Sequence, residues 1–229
     1  MSCQSIVLLI ILSCLASALF GATELPSVFG NHMVLQRDKP IPVWGWSEEG
    51  LKVKVTLGGK SATATAGKDG RWEVRLPAMK ASGEGRELIV EGSEKIVFKD
   101  VLVGEVWVCS GQSNMEWSVN GALNPNEEKQ AADYPKIRHI KVPKIPSDSH
   151  ERDFNARWQV CSPSTAGGFT AVGYYFARAL LEKLNVPVGL GGLIQQARGA
   201  VDVSEESVSA AVSVTVYFPQ SYAVSAILF

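Results

Sequence analysis

The stretch from Val101 to Trp117 constrains this chain more than any other. Val101-Leu102-Val103-Gly104-Glu105-Val106-Trp107-Val108-Cys109 reads as a buried strand. Ser110-Gly111-Gln112 then breaks it just before Ser113-Asn114-Met115-Glu116-Trp117, which reads as the start of a helix. A strand that turns sharply into a helix is the building block of an α/β layer. It sets the hydroxyl of Ser113 at the carboxyl end of the strand, beside the backbone N–H groups of a helix start, where a developing oxyanion can be held. Ser113 is therefore the candidate nucleophile of an acyl-transfer site, with its own amide as oxyanion donor. Gln112 and Asn114 flank it and are placed to orient substrate or the turn. Trp107 and Trp117 could wall the site, with core packing the stronger role for Trp107.

A plainer role for the same serine is capping. Serine is a common first residue of a helix, and Glu116 three positions on completes a capping box. The strained nucleophile elbow, G-x-S-x-G, is a poor fit, because Met115 stands where the second glycine belongs.

Upstream, residues 24–100 alternate apolar and polar side chains in short runs punctuated by glycine. The pattern predicts strands over 41–46, 51–57, 61–66, 71–76, 87–90 and 95–98, spaced as in a small β-sandwich. Asp69-Gly70 carries the signal of a tight hairpin turn. Downstream, residues 172–184 predict a helix presenting Val172, Tyr175, Phe176, Ala179 and Leu180 on one face, closed by Asn185 and Pro187. Pro187-Val188-Gly189-Leu190 opens the next buried strand. The fold class is thus α/β preceded by an all-β sandwich, with the chain divided into 1–22, 23–100, 101–190 and 191–229.

Five blocks of residues carry a resemblance to a known family. Gly111-Gln112-Ser113-Asn114-Met115-Glu116-Trp117 resembles the first block of the SGNH (GDSL-like) hydrolases, in the form found in the sialate O-acetylesterase family. Phe29-Gly30-Asn31-His32-Met33-Val34-Leu35-Gln36-Arg37, Pro42-Val43-Trp44-Gly45-Trp46, Trp158-Gln159-Val160-Cys161-Ser162-Pro163 and Phe169-Thr170-Ala171-Val172-Gly173-Tyr174-Tyr175-Phe176-Ala177-Arg178 follow in that family's order and at comparable spacing. The resemblance covers roughly residues 25–190. It implies a flavodoxin-like, three-layer α/β/α hydrolase domain, a serine mechanism without cofactor or metal, and acetylated carbohydrate as substrate.

Beyond Leu190 the resemblance stops. The family continues into a Gly-Gly-Thr turn that supplies a second oxyanion donor, a third block with an asparagine, and an Asp-x-x-His that supplies the base. Residues 191–229 hold none of these, and they read as a frameshifted or chimeric end. Val212 to Phe218 is uncharged and β-prone, a hazard for aggregation if exposed. The histidines are His32, His139 and His150, and none stands three residues after an aspartate. Each has a structural or solvated reading, with His150, two after Asp148, and His139 the first places to look for a base. The chain is expected to be a weak or inactive esterase as it stands, the alternative being a non-catalytic remnant or a carbohydrate-binding β-module.

Lys+Arg 22 against Asp+Glu 23, a net charge of −1 and no basic run give no electrostatic footprint for nucleic acid. Residues 6–20 form an apolar segment short for a membrane span, followed by Ala16-Ser17-Ala18, as in a secretory signal. The expectation is export, secreted or periplasmic, with no stable membrane span after cleavage. An uncleaved anchor and lipidation at Cys14 are the alternatives. Cys109 and Cys161 then remain, free to pair or to stay as buried thiols.

Overall fold

The computed structural model describes residues 21–111, 113–143, 152–194, 213–217 and 223–228. Its first strands follow the alternation closely: β1 Val34–Gln36, β2 Ile41–Trp46, β3 Lys52–Leu57, β4 Lys60–Thr65, β5 Arg71–Leu76 and β6 Ser82–Glu91. Every second residue points inward, so Ile41, Val43, Val53, Val55, Leu57, Trp72, Val74, Leu76, Leu88 and Val90 are buried together. β2 and β5 form a two-stranded antiparallel sheet whose apolar face shares this core with β3 and β6. The Asp69-Gly70 turn forms, with Gly70 at φ +77° and the Arg71 amide donating to Asp69 Oδ1 at 3.1 Å. It does not close a ladder. β4 pairs with β3 and β5 with β2, so the turn carries the chain between sheets.

The spine of the molecule is β7, Lys95–Gly111, a 17-residue strand. Its first part pairs antiparallel with β6, and residues 102–104 run parallel to β1. Residues 105–111 run parallel to β10, Val188–Ile194. β10 is in turn parallel to β8, Tyr134–Lys141, and β9, Gln159–Cys161, closes that side antiparallel. β7 therefore crosses residue 100 without a break, and β10 crosses residue 190 in register, with Ile194 opposite Gly111. Two further strands, β11 Ser213–Tyr217 and β12 Ala223–Leu228, form an antiparallel pair, and β12 lies antiparallel along Trp107–Cys109 of β7.

The Phe29–Arg37 block ties the β-layers to this spine. Asn31 Oδ1 accepts from the Lys99 amide, His32 Nδ1 meets Asp100 Oδ2 at 2.7 Å, Gln36 Oε1 accepts from the Val106 amide, and Arg37 pairs with Glu105. Trp158 Nε1 donates to the Val28 carbonyl, and its ring joins the same core.

Among the described residues two α-helices follow β7: α1, Pro125–Gln130, and α2, Ala171–Leu184. α2 ends as expected, with Asn185 left-handed at φ 49° and its amide on the Leu181 carbonyl. Val172, Phe176 and Leu180 pack against the core as expected, but the most deeply buried positions are shifted from the expected face. Gly173, Tyr174 and Ala177 are buried, whereas Tyr175 and Ala179 are exposed. The cause is close approach: a Cβ on Gly173 would lie 2.7 Å from Thr170 Cγ2 and 2.9 Å from Cys109 Sγ. Small residues let the helix settle on the sheet there, and the large side chains fall to either side. Tyr174 donates to Glu128, which also pairs with Arg178, and so α1 is fixed to α2. Cys109 and Cys161 are both buried and free, and burial pushes both thiols up to about 12.

Candidate active site at the carboxyl edge of the parallel strands

The parallel strands β7, β10 and β8 end near one edge, with Gly111 opposite Ile194 and Lys141 opposite Gly192. In open α/β sheets this carboxyl edge is where ligands bind. Ser113 begins the next segment there. That segment is a single 3₁₀ turn, Ser113–Glu116, followed by a second short one, Val119–Gly121, where a helix was expected. Four residues sum few peptide dipoles, so an oxyanion here would rest on individual amides more than on a helix field. Gln112 lies outside the described residues, as do the side chains of Ser113 and Asn114.

What holds the turn is the amino end of α2. Thr170 Oγ1 donates to the Met115 carbonyl at 3.0 Å, the Ala171 amide to the Trp117 carbonyl at 2.7 Å, and the Val119 amide to the Phe169 carbonyl at 3.0 Å. These bonds join segments 50 or more residues apart, so the position of the serine depends on the Phe169-Thr170-Ala171 block. Composition could not have revealed Thr170 in this role; the resemblance block that contains it was the available signal. Trp107 is buried edge-on against Phe176, as expected of a core residue. Trp117 is 61% exposed beside the turn, its indole lying across Gly121, and gives the edge an apolar surface.

Below the turn is a cavity of about 10 Å³ lined by Met115, Glu116, His139, Lys141, Thr170 and Gly192. His139 sits on β8, 1% exposed, stacked on Phe169 at 4.6 Å between ring centroids. Burial, with Lys141 nearby, lowers its pKa to about 4, so the imidazole is neutral at physiological pH. Its Nε2 has no hydrogen-bond partner among the described residues. Its sequence context carries a structural or solvated reading and marks it, with His150, as a place to look for a base.

A histidine–aspartate pair does exist, between residues 68 apart: His32 and Asp100, with the buried Arg138 on the same carboxylate oxygen at 2.6 Å. Its carboxylate stands at the sixth residue of β7, far from the Gly111 end. Asp100 and Gly111 are eleven residues apart along the strand, roughly 36 Å of rise, so this pair cannot serve Ser113 of the same chain. His150 and Asp148 lie outside the described residues. No cluster of three or more potential metal ligands occurs among the described residues.

No protein-family model matches the chain. Among curated proteins, it is 33% identical over 184 residues to a sialate O-acetylesterase of Homo sapiens, covering 72% of this chain and 35% of that protein. It is 33% identical over 205 residues to the sialate O-acetylesterase of Mus musculus, covering 81% of this chain and 38% of that one. Among solved structures it is similar to a carbohydrate acetylesterase from Xanthomonas citri, with a TM-score of 0.73 and 40% identity over 76% of this chain and 40% of that one. The chain thus spans little more than a third of the length of the curated relatives it matches. Over that span it belongs to the sialate O-acetylesterase family.

Proposed function

We propose that this chain carries the nucleophile-bearing part of a carbohydrate O-acetylesterase. Ser113 attacks the acetyl carbonyl of an acetylated sugar, the carbonyl oxygen takes the negative charge beside the turn's amides, and the sugar hydroxyl leaves. Water then releases acetate from the acyl-serine. The observation that carries this reading is the position of the Ser113 turn at the carboxyl edge of β7 and β10, in a chain related to acetylesterases. A serine hydroxyl needs a base to take its proton. Among the described residues no histidine–carboxylate pair stands at this edge. The 229-residue chain is therefore expected to turn over weakly. The flavodoxin-like three-layer arrangement, with the β-layers as a module in front of it, belongs to the same proposal.

Purified monomer assayed on an acetylated chromogenic ester, and treated with a serine-directed phosphonate, tests this. Slow hydrolysis and labelling that both vanish in Ser113→Ala are expected. Equal turnover in the alanine variant would remove Ser113 from the nucleophile's role. Export follows from the same family reading and from the apolar segment 6–20: the mature amino terminus is expected near Ala18 to Ala22. Recovery of intact Met1 on cytoplasmic protein would contradict it.

A further inference from the structure

Three features of the molecule call for an occupant or a role. The shallow groove between α1 and α2, lined by Leu123, Glu127, Tyr175 and Arg178, shows nothing of what fills it. The His32–Asp100–Arg138 cluster is accounted for by the docking of the β-layers onto β7. The cavity under the Ser113 turn is different, because a buried polar atom is aimed into it. His139 Nε2 is sealed from solvent without a partner among the described residues, and a Cβ on Gly192 would lie only 2.9 Å from it. Position 192 thus gives the imidazole its room. Leaving such a nitrogen unbonded costs about 1–3 kcal/mol, which native structures avoid by placing a water there.

We infer that the cavity is a built site for one water, and that His139 positions the Ser113 turn through it. The cavity volume of about 10 Å³ is the space one water needs. With the imidazole proton on Nδ1, the water donates one hydrogen to Nε2 and the other to Thr170 Oγ1. That hydroxyl has already given its own hydrogen to the Met115 carbonyl, at 3.0 Å, and has lone pairs to accept. The resulting chain runs from His139 through water and Thr170 to the backbone two residues after Ser113. Phe169 fixes the plane of the imidazole at one end, and α2 anchors the hydroxyl at the other. His139 is then a positioning residue. The site takes water and nothing larger.

The inference rests on the nucleophile reading only for its consequence at Ser113, so its test has two arms. The first is thermal. If Nε2 is bonded to water, His139→Leu and His139→Met lose that bond and melt several degrees lower, since about 1 kcal/mol moves the melting point of a chain this size by roughly 2–4 °C. If the cavity is dry, both replacements remove an orphaned polar atom and melt at or above the wild-type temperature, which overturns the proposal. Two apolar shapes are used so that one misfit does not decide. The second arm measures phosphonate labelling of Ser113. The maximal labelling rate is expected to fall about tenfold in His139→Leu, with the concentration dependence unchanged, and to recover in His139→Gln, whose amide oxygen can replace Nε2. An unchanged rate in His139→Leu would reduce His139 to a packing residue and overturn the positioning role. A wild-type chain that takes no label at all would sink the nucleophile reading, and with it the positioning role, while the thermal arm still decides the water site.

Discussion

Asp100→Asn is the substitution through which the joint between the β-layers and the parallel strands can be weighed. Asp100 stands at φ +55°, in the left-handed region, where asparagine is tolerated better than alanine, so the change removes charge without adding backbone strain. The charge it removes neutralises Arg138. That guanidinium, with its side chain 5% exposed, has Nη1 on Asp100 Oδ2 at 2.6 Å and Nε on the Pro135 carbonyl at 2.7 Å. Removing one partner of a buried pair leaves the other charge uncompensated, typically a loss of 3–5 kcal/mol. The Asp100 side chain is 37% exposed, so water can reach the vacated carboxylate position, and the lower end, about 3 kcal/mol, is the expectation. In a chain of this length that is a fall in melting temperature of roughly 6–12 °C.

The pH dependence follows from the direction of the Asp100 shift. Burial alone would raise its pKa, but the hydrogen bonds and charges of Arg138 and His32 outweigh burial and hold it below the usual carboxylate value. A depressed folded-state pKa contributes stability that is present above the unfolded value, about 3.9, and is lost as pH falls through the folded one. The gap between wild type and Asp100→Asn should therefore be full from pH 5 to 8 and close below about pH 4. Urea titrations followed by tryptophan fluorescence give both stabilities. Arg138→Met added to Asp100→Asn should recover a kcal/mol or more, because the orphaned charge is gone. A loss under about 1 kcal/mol in Asp100→Asn, or strict additivity in the double variant, would refute the reasoning.

Gly173→Val should cost about 1–3 kcal/mol, because its side chain would collide with Thr170 and with Cys109 Sγ where α2 lies closest to the sheet; a urea melt checks it. With Cys3 and Cys14 changed to serine, the folded protein should show no rapidly reacting thiol to a colorimetric disulfide reagent at pH 8. Two should appear on denaturation, since Cys109 and Cys161 are buried with pKa values pushed up to about 12. A fast thiol in the folded state would show that one of them is reachable.

What the sequence disclosed and what it withheld divide along the range of the forces involved. The strands at 41–46 and 71–76 were legible to the residue, because alternation is a local consequence of one face being buried. Which strands pair was not: the Asp69-Gly70 turn announced a reversal, and the apolar faces then sent β4 and β5 to different sheets. The helix 172–184 was visible by period and its end by Asn185 and Pro187. Its buried face was read in part: Val172, Phe176 and Leu180 do pack on the core, but hydrophobic size also pointed to Tyr175, which is exposed, while the close approach to the sheet is made at Gly173. The site follows the same division. Ser113 could be found from one glycine turn, but Thr170, which ties down its backbone, sits 57 residues away, and His139 comes from a third strand. The same range effect misleads a search for the base, since proximity along the sequence is the only signal a histidine and an aspartate can give. His32 and Asp100, 68 residues apart, form the bonded pair that no Asp-x-x-His spacing would disclose. Eleven residues of β7 then hold that pair away from Ser113, so an imidazole oriented by a carboxylate serves here to join the layers, with Arg138 as its partner on the shared oxygen.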